Sequence, residues 1–220
     1  MPEPFKYEVK LSDRAVIKGG TVDIPGDIST AAFFMAAAAI GKGIVSIENV
    51  GLNPTRSGFI EHLKAIGCNV EITDKKTISN EPRGTVTVTG AHLKSRKISG
   101  ETTVALVDEI PIVAVMAAFA EGTTIIRDAS ELKVKESNRL EAIHHNLKLS
   151  GAKSALLDDG LAIEGQPELS GADFKSFDDH RIAMAFSIAA LFLAGPSTLD
   201  DDACVAISCP EFYDILGQIV

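Results

Sequence analysis

Two groups of ionisable residues flank one apolar stretch of the 220-residue chain. The first is Asp108-Glu109, followed by Ile110-Pro111; the second is Lys133-Val134-Lys135-Glu136-Ser137-Asn138-Arg139. Asp108 and Glu136 are two carboxylates that can divide acid and base roles. Lys135 and Arg139 beside Glu136 can hold an anionic substrate between them. Local structure explains the same residues equally well. Asp108 precedes a helix with Pro111 in its first turn, as an N-cap does. Glu136 and Arg139 have the spacing of an ordinary surface helix pair. The elements around them must decide.

Those elements recur. An apolar helix over Ala31 to Ile40 is followed by Gly43, a strand Ile44 to Ile47, an amphipathic helix over Arg56 to Ile66 and Gly67. The order returns after Asp108, with an apolar helix Ile112 to Ala120, Gly122, a strand Thr123 to Ile126 and an amphipathic helix ending at Gly151. It returns again after Asp178-Asp179-His180-Arg181, with an apolar helix Ile182 to Ala194, Gly195, a short strand and a last helix over Glu211 to Gln218. Strands are also expected at Tyr7 to Leu11, Ala15 to Lys18, Thr21 to Ile24, Asn69 to Ile72, Gly84 to Val88 and near Ala155 to Leu157. Asp74 to Arg83, polar and holding Pro82, reads as a loop. Helices that are apolar all round need enclosure on every side. Three of them predict an α/β domain of three repeats, with βαβ sheets around buried, parallel helices. Each of these helices opens on polar residues: Asp27, Ser29 and Thr30; Asp108 and Glu109; Asp179, His180 and Arg181. Parallel helices would gather these openings at one end, which the helix N-termini make favourable for anions.

The bulk composition excludes several classes. A net charge of −9 argues against nucleic-acid binding and against an anionic membrane surface. With no Trp and two Tyr, a base-stacking platform is not expected. Cys68, Cys204 and Cys209 have no paired spacing and read as reduced thiols of a cytoplasmic protein. His144 and His145 are adjacent and point to different sides of a helix, so no metal site is expected. Met1 to Lys6 shows no apolar signal segment, and no apolar run is long enough to span a bilayer.

Five segments, in order and with compatible spacing, strongly resemble the 5-enolpyruvylshikimate-3-phosphate synthase family. They are Pro25-Gly26-Asp27-Ile28-Ser29-Thr30-Ala31, Asn53-Pro54-Thr55-Arg56-Ser57-Gly58, Asp108-Glu109-Ile110-Pro111, Glu131 through Arg139, and Asp179-His180-Arg181-Ile182-Ala183-Met184. The resemblance implies a domain of three βαβαββ repeats around buried parallel helices, the inside-out α/β barrel of the enolpyruvyl transferases. It implies the C-terminal half of a two-domain enzyme, with residues 1–20 near the junction and 21–220 as the domain. The activity implied is transfer of the enolpyruvyl group of phosphoenolpyruvate to the 5-hydroxyl of shikimate 3-phosphate, with release of phosphate and no cofactor. The family's N-terminal half, with its Lys-Ser pair near the start and its Asn-x-Gly-Thr and Ser-Ser-x-Gln segments, has no counterpart here. This chain is therefore expected to act only with that half as partner.

By the same resemblance Asp108 matches a base candidate beside the 5-hydroxyl, and Glu136 an acid candidate near C3 of phosphoenolpyruvate. Lys135 matches a lysine near shikimate 3-phosphate and the reacting oxygen. Arg139 and Arg181 match arginines that clamp phosphoenolpyruvate, and His180 a supporting histidine. Many members carry a Lys shortly before the last helix, where this chain reads Cys204-Val205-Ala206-Ile207-Ser208-Cys209-Pro210. The sister transferase acting on UDP-N-acetylglucosamine shares the fold, but the Lys-Glu-Ser-Asn-Arg and Asp-His-Arg signatures favour the shikimate enzyme. A non-catalytic anion-binding module is the alternative from another class. The presence of Asp108, Lys135, Glu136, Arg139 and Arg181 together weighs against it.

Overall fold

A computed structural model describes residues 19–166 and 168–219. The strands expected at Tyr7 to Lys18 lie outside them. Thr21 to Ile24 form no strand, and the first ladder contact is a parallel bridge from Gly26 to Val50. Asp27 then caps helix α1 (Ile28–Gly41), its carboxylate accepting from the backbone N–H groups of Ser29 and Thr30 at 3.2 and 2.9 Å. The helix stops at Lys42 rather than Gly43: Lys42 turns left-handed, with φ of 56°, and its N–H returns to the Ala38 carbonyl.

The first sheet is antiparallel. Strand β1 (Ile44–Gly51), helix α2 (Gly58–Ala65), and strands β2 (Asn69–Ile78) and β3 (Glu81–Thr89) follow, with β3 in the middle. The loop expected over Asp74 to Arg83 is a hairpin instead. Ser79 and Asn80, with φ of 53° and 63°, make its two-residue turn, the backbone twist that suits paired strands. Pro82 is tolerated because its carbonyl faces away from β2 and accepts from the Leu52 N–H at 2.7 Å. In a strand the missing N–H points to that same side, so no β2–β3 bond is lost. Buried Arg83 holds the segment before α1, donating to both the carboxylate and the carbonyl of Asp23 at 2.5 Å and to Asn49 at 3.2 Å.

The second repeat holds strand β4 (Lys97–Ile98), helices α3 (Glu101–Ala105) and α4 (Ile110–Ala118), strand β5 (Thr123–Ile126), a 3₁₀ turn (Ser130–Val134), helix α5 (Arg139–Leu149), and strands β6 (Lys153–Leu157) and β7 (Gly160–Glu164). Its sheet order is β4-β5-β7-β6, with β4 parallel to β5 and the rest antiparallel. Gly26 beside β1-β3-β2 repeats that pattern. The third repeat has strand β8 (Asp173–Phe174), helix α6 (His180–Ala190), strand β9 (Thr198–Leu199) parallel to β8, a 3₁₀ turn (Ala203–Ile207) and helix α7 (Phe212–Ile219). It ends without a closing hairpin among the described residues. Helices α4 and α6 begin two residues earlier than hydropathy suggests, because Ile110-Pro111 and His180-Arg181 already join the first turn.

Helices α1, α4 and α6 touch one another in the centre, and all nine residues of α4 are buried. They run in one direction, because like ends meet. At the C-terminal ends, the Phe192 ring packs against Phe119 with centroids 6.2 Å apart. The same ring lies so close to Gly41 that a Cβ there would stand 2.9 Å from it, which is why glycine ends α1. At the N-terminal ends, Ser29 of α1 bonds Glu109 at the start of α4, and Arg181 of α6 bonds the carbonyl of Asp108 beside it. The sheets stay separate outside this bundle, and no closed barrel forms among the described residues. Among the described residues no helix is long and apolar enough to cross a membrane. The three cysteines are free, with Cys68 and Cys209 buried.

Candidate active site

The N-terminal ends of the three inner helices converge on Asp108. It does not cap its helix. The N-cap of α4 is Glu109, and neither residue supplies a side-chain cap. Part of that role is taken by the backbone: the Glu109 and Ile110 N–H groups both reach the Leu106 carbonyl in the turn after α3, and Pro111 has no N–H. The Asp108 carboxylate is thereby left for other contacts.

Four cations surround it. Arg56 Nη1, from the loop before α2, donates to Oδ2 at 3.2 Å. Lys135 Nζ and Arg139 Nη1 stand 3.9 and 3.8 Å from Oδ1. Arg181 Nη2 is 4.0 Å from Oδ2, while its Nη1 donates to the Asp108 carbonyl at 3.3 Å. Burial pushes the Asp108 carboxyl up, but Arg181, Arg56 and Lys135 outweigh burial and hold it below the usual carboxylate range. It is ionised at neutral pH, and with its side chain 23% exposed it can still be reached from outside.

Glu136 joins the site through Arg139. Arg139 Nη2 donates to Glu136 at 2.6 Å, and Nε donates to Asp179 at 2.8 Å. Arg139 and Asp179 are buried, whereas the Glu136 side chain is 47% exposed. The i,i+3 pair of the local reading is thus real, yet Glu136 precedes the helix and α5 begins at Arg139. The third nitrogen of Arg139, Nη1, is buried without a hydrogen bond. A second cation, Lys135, is shared between Asp108 and Glu131, with Nζ 2.9 Å from the latter.

Asp179 does cap its helix. It accepts from the Arg181 N–H at 3.0 Å and from Ser137 Oγ at 3.0 Å. Burial acts to raise its carboxyl, but the hydrogen bond and charge of Arg139, with these donors, keep it low. His180 is also buried. Burial and Arg181 lower its basicity against the opposing pull of Asp179 and Glu136, so the ring is neutral at pH 7.

All six residues proposed from sequence therefore lie at one end of the helix bundle. Arg139 and His180 are buried in it rather than open to solvent. Sequence reading assigns no site role to Arg56, Ser29, Glu109, Asp179 or Ser137. Ser29, Glu109 and Asp179 are visible in the sequence as polar helix openings and, like Arg56 and Ser137, as members of the resembling segments, without a role of their own. Their partners are 27 to 80 residues away along the chain.

The segment before α7 has no basic residue. Cys204 stands there instead, its thiol pushed up to about 11 by burial and by Asp201, Asp179, Asp178 and Asp200. With Asp108, Glu109, Glu136 and Asp179 set against Arg56, Lys135, Arg139 and Arg181, carboxyl groups and cations on this face are equal in number. Among the described residues no group of three His, Cys, Asp or Glu is placed to hold a metal ion.

Comparison with known proteins agrees over nearly the whole chain. The family model for EPSP synthase (3-phosphoshikimate 1-carboxyvinyltransferase) matches residues 5–216. The chain is 44% identical to a 3-phosphoshikimate 1-carboxyvinyltransferase from Desulforamulus reducens, over all of this chain and 53% of that protein. It is 46% identical to one from Synechocystis, over 99% of this chain and 49% of that protein. A solved EPSP synthase structure from Acinetobacter baumannii superposes with a TM-score of 0.89 at 34% identity, covering 99% of this chain and 55% of that one. The chain thus spans about half the length of the relatives it matches.

Proposed function

The chain belongs to the EPSP synthase family, and on that premise we propose that it supplies the C-terminal half of an active site for enolpyruvyl transfer. The substrates are phosphoenolpyruvate and shikimate 3-phosphate, and the missing half of the site comes from an N-terminal domain. The observation that carries this reading is the Asp108 carboxylate, ionised and accessible within a ring of Arg56, Lys135, Arg139 and Arg181, with Glu136 tied to the same ring.

The reaction needs an acid, a base and cations. In addition, the 5-hydroxyl oxygen attacks C2 of phosphoenolpyruvate and gives its proton to Asp108, while C3 takes a proton from Glu136, which must enter this step in its acid form. In elimination, C3 returns a proton and the bond from C2 to the phosphate oxygen breaks, leaving the enol ether and phosphate. By the resemblance to the family, Arg181 and Arg139 would clamp phosphoenolpyruvate, and Lys135 would meet shikimate 3-phosphate. His180, neutral and packed beside Arg181, supports that arginine. The cation ring makes Asp108 a weak base in the empty domain. Anionic substrates would offset those cations and raise its proton affinity on binding.

Two phosphorylated substrates require more positive charge than this face offers, which supports a cationic wall from the other half. Mixing the chain with an N-terminal half of a family member and measuring phosphate release tests the reading. Turnover is expected from the mixture and not from the chain alone. Turnover by the lone chain, or none by any mixture that forms a stable complex, overturns it. A mixture accepting UDP-N-acetylglucosamine instead moves the assignment to the sister transferase.

A further inference from the structure

Ser29 Oγ sits between two charged groups from distant parts of the chain. It accepts a hydrogen bond from Arg56 Nη2 at 2.7 Å and donates a short one to Glu109 Oε1. Arg56 has no acceptor, so it must donate, and the Ser29 hydroxyl proton is then directed to the Glu109 carboxylate. Arg56 in turn donates to Asp108 from its other terminal nitrogen. The guanidinium plane is therefore fixed at both ends, by Ser29 and by Asp108, although the Arg56 side chain is 41% exposed.

Glu109 is an unusual anchor for such a chain of bonds. It is 1% exposed, and its second oxygen, Oε2, is buried without a partner. A buried carboxyl with an unpartnered oxygen is costly and would be removed from a purely structural position. Its cost is explained if Oε1 has a task that requires a buried, immobile acceptor.

We propose that Glu109 and Ser29 are positioning residues of the active site, forming a relay Glu109–Ser29–Arg56 that fixes the guanidinium against Asp108. The inference rests on the functional reading of Asp108, but its physical content is independent of turnover. The charged groups facing Asp108 are Arg56, Lys135, Arg139 and Arg181, with Glu109 beside it; those facing Glu109 are Arg56, Arg181 and Asp108. Of the four cations, Arg56 alone makes a side-chain hydrogen bond to the Asp108 carboxylate. Loosening Arg56 should therefore weaken the hold on the ionised form more than any change in distant charge. Burial keeps the Glu109 carboxyl above the ordinary glutamate range, with Ser29 and Arg56 only partly offsetting it. Protonation at Oε2 leaves Oε1 free to accept, so the relay survives in either ionisation state.

The test is the titration of Asp108 in the isolated chain, followed by carbon-13 NMR of its labelled carboxyl. Ser29→Ala cuts the relay without altering any charge. It should raise the Asp108 midpoint by half a pH unit or more, about threefold in proton affinity, and by a large part of the rise seen in Arg56→Gln. Glu109→Gln keeps an acceptor oxygen toward Ser29 and removes any negative charge, so it should leave the midpoint unchanged or lower it. Should Ser29→Ala fold poorly, Glu109→Leu cuts the relay at the other end and should raise the midpoint likewise. An unchanged midpoint in the folded relay-cutting variant overturns the proposal. So does a rise in Glu109→Gln matching that in Ser29→Ala, since Arg56 would then be held by charge and not through the serine. If the relay variants behave as expected while no reconstituted enzyme accepts shikimate 3-phosphate, the relay stands and the substrate assignment fails.

Discussion

Asp108 and Asp179 each stand at the opening of an inner helix, and they do different things there. Asp179 is at the N-cap of α6, fully buried, accepting from the backbone of its own helix, from Ser137 and from Arg139. Asp108 stands one residue before the N-cap of α4, caps nothing, and faces outward among cations. What separates them is the chain before each helix. The turn after α3 supplies Leu106 O to the Glu109 and Ile110 amides, and Pro111 removes another donor, so fewer amides of α4 await a side-chain cap. Helix α6 starts after Phe177 and Asp178, both with positive φ, and takes its cap from a side chain. The same residue type thus serves structure where its carboxylate caps the helix and is available for chemistry where the preceding turn takes over part of the capping.

The sharpest way to break this contrast is to remove each carboxylate in turn. In a reconstituted enzyme, Asp108→Ala should lower the rate of phosphate release on the order of 10²–10⁴-fold, the usual worth of a positioned base. Urea unfolding of the chain should register the change far less than the assay does. A variant that keeps its rate would return Asp108 to a structural role. Asp179→Ala should do the reverse. It strands buried Arg139 and uncaps α6, so stability should fall by about 3–5 kcal/mol, with activity lost only through unfolding or a displaced Glu136. An equally mild effect of both substitutions on the urea midpoint would erase the distinction.

Unfolding measured against pH sharpens it further. The Asp179 and Asp108 carboxyls are held low in the folded chain. Their stabilising contribution is complete above the unfolded aspartate value of about 3.9 and is lost as pH falls through the folded values. The deficit of Asp179→Ala relative to wild type should therefore shrink only below about pH 4. Glu109, held high, has the opposite sign. Its contribution is present below the unfolded glutamate value of about 4.3 and is lost as pH rises through the raised folded value. Glu109→Gln should accordingly gain on wild type as pH rises from 4 toward 7. A pH-independent difference for either variant would show that the group does not titrate differently in the folded state. The smallest effect is expected at the rim. Glu131 is an exposed partner of Lys135, and Glu131→Ala should change stability by no more than about 0.5 kcal/mol.

The pattern of apolar helices carries most of the architecture, because a helix buried on all sides leaves its composition unmistakable. Asp108, Lys135, Glu136, Arg139, His180 and Arg181 are legible as chemistry because they cluster in short segments. The hairpin at Ser79-Asn80 is hidden by Lys75, Lys76 and Pro82, whose strand positions depend on register and on which way a carbonyl points. The pairing of Ser29 with Glu109, or of Arg56 with Asp108, has no local signature. Each partner belongs to a different repeat, and only the parallel packing of the helices brings them together.

Arg83 gives the chain a mechanical property as well. Its guanidinium grips Asp23 by side chain and backbone, four residues before the Asp27 cap. Its own strand is held on both flanks, by β1 and β2. Arg83 thus ties the segment leading into α1 to the first sheet as well as to its own helix cap, a second hold on the turn where Ser29 must keep its place to within a hydrogen bond's tolerance.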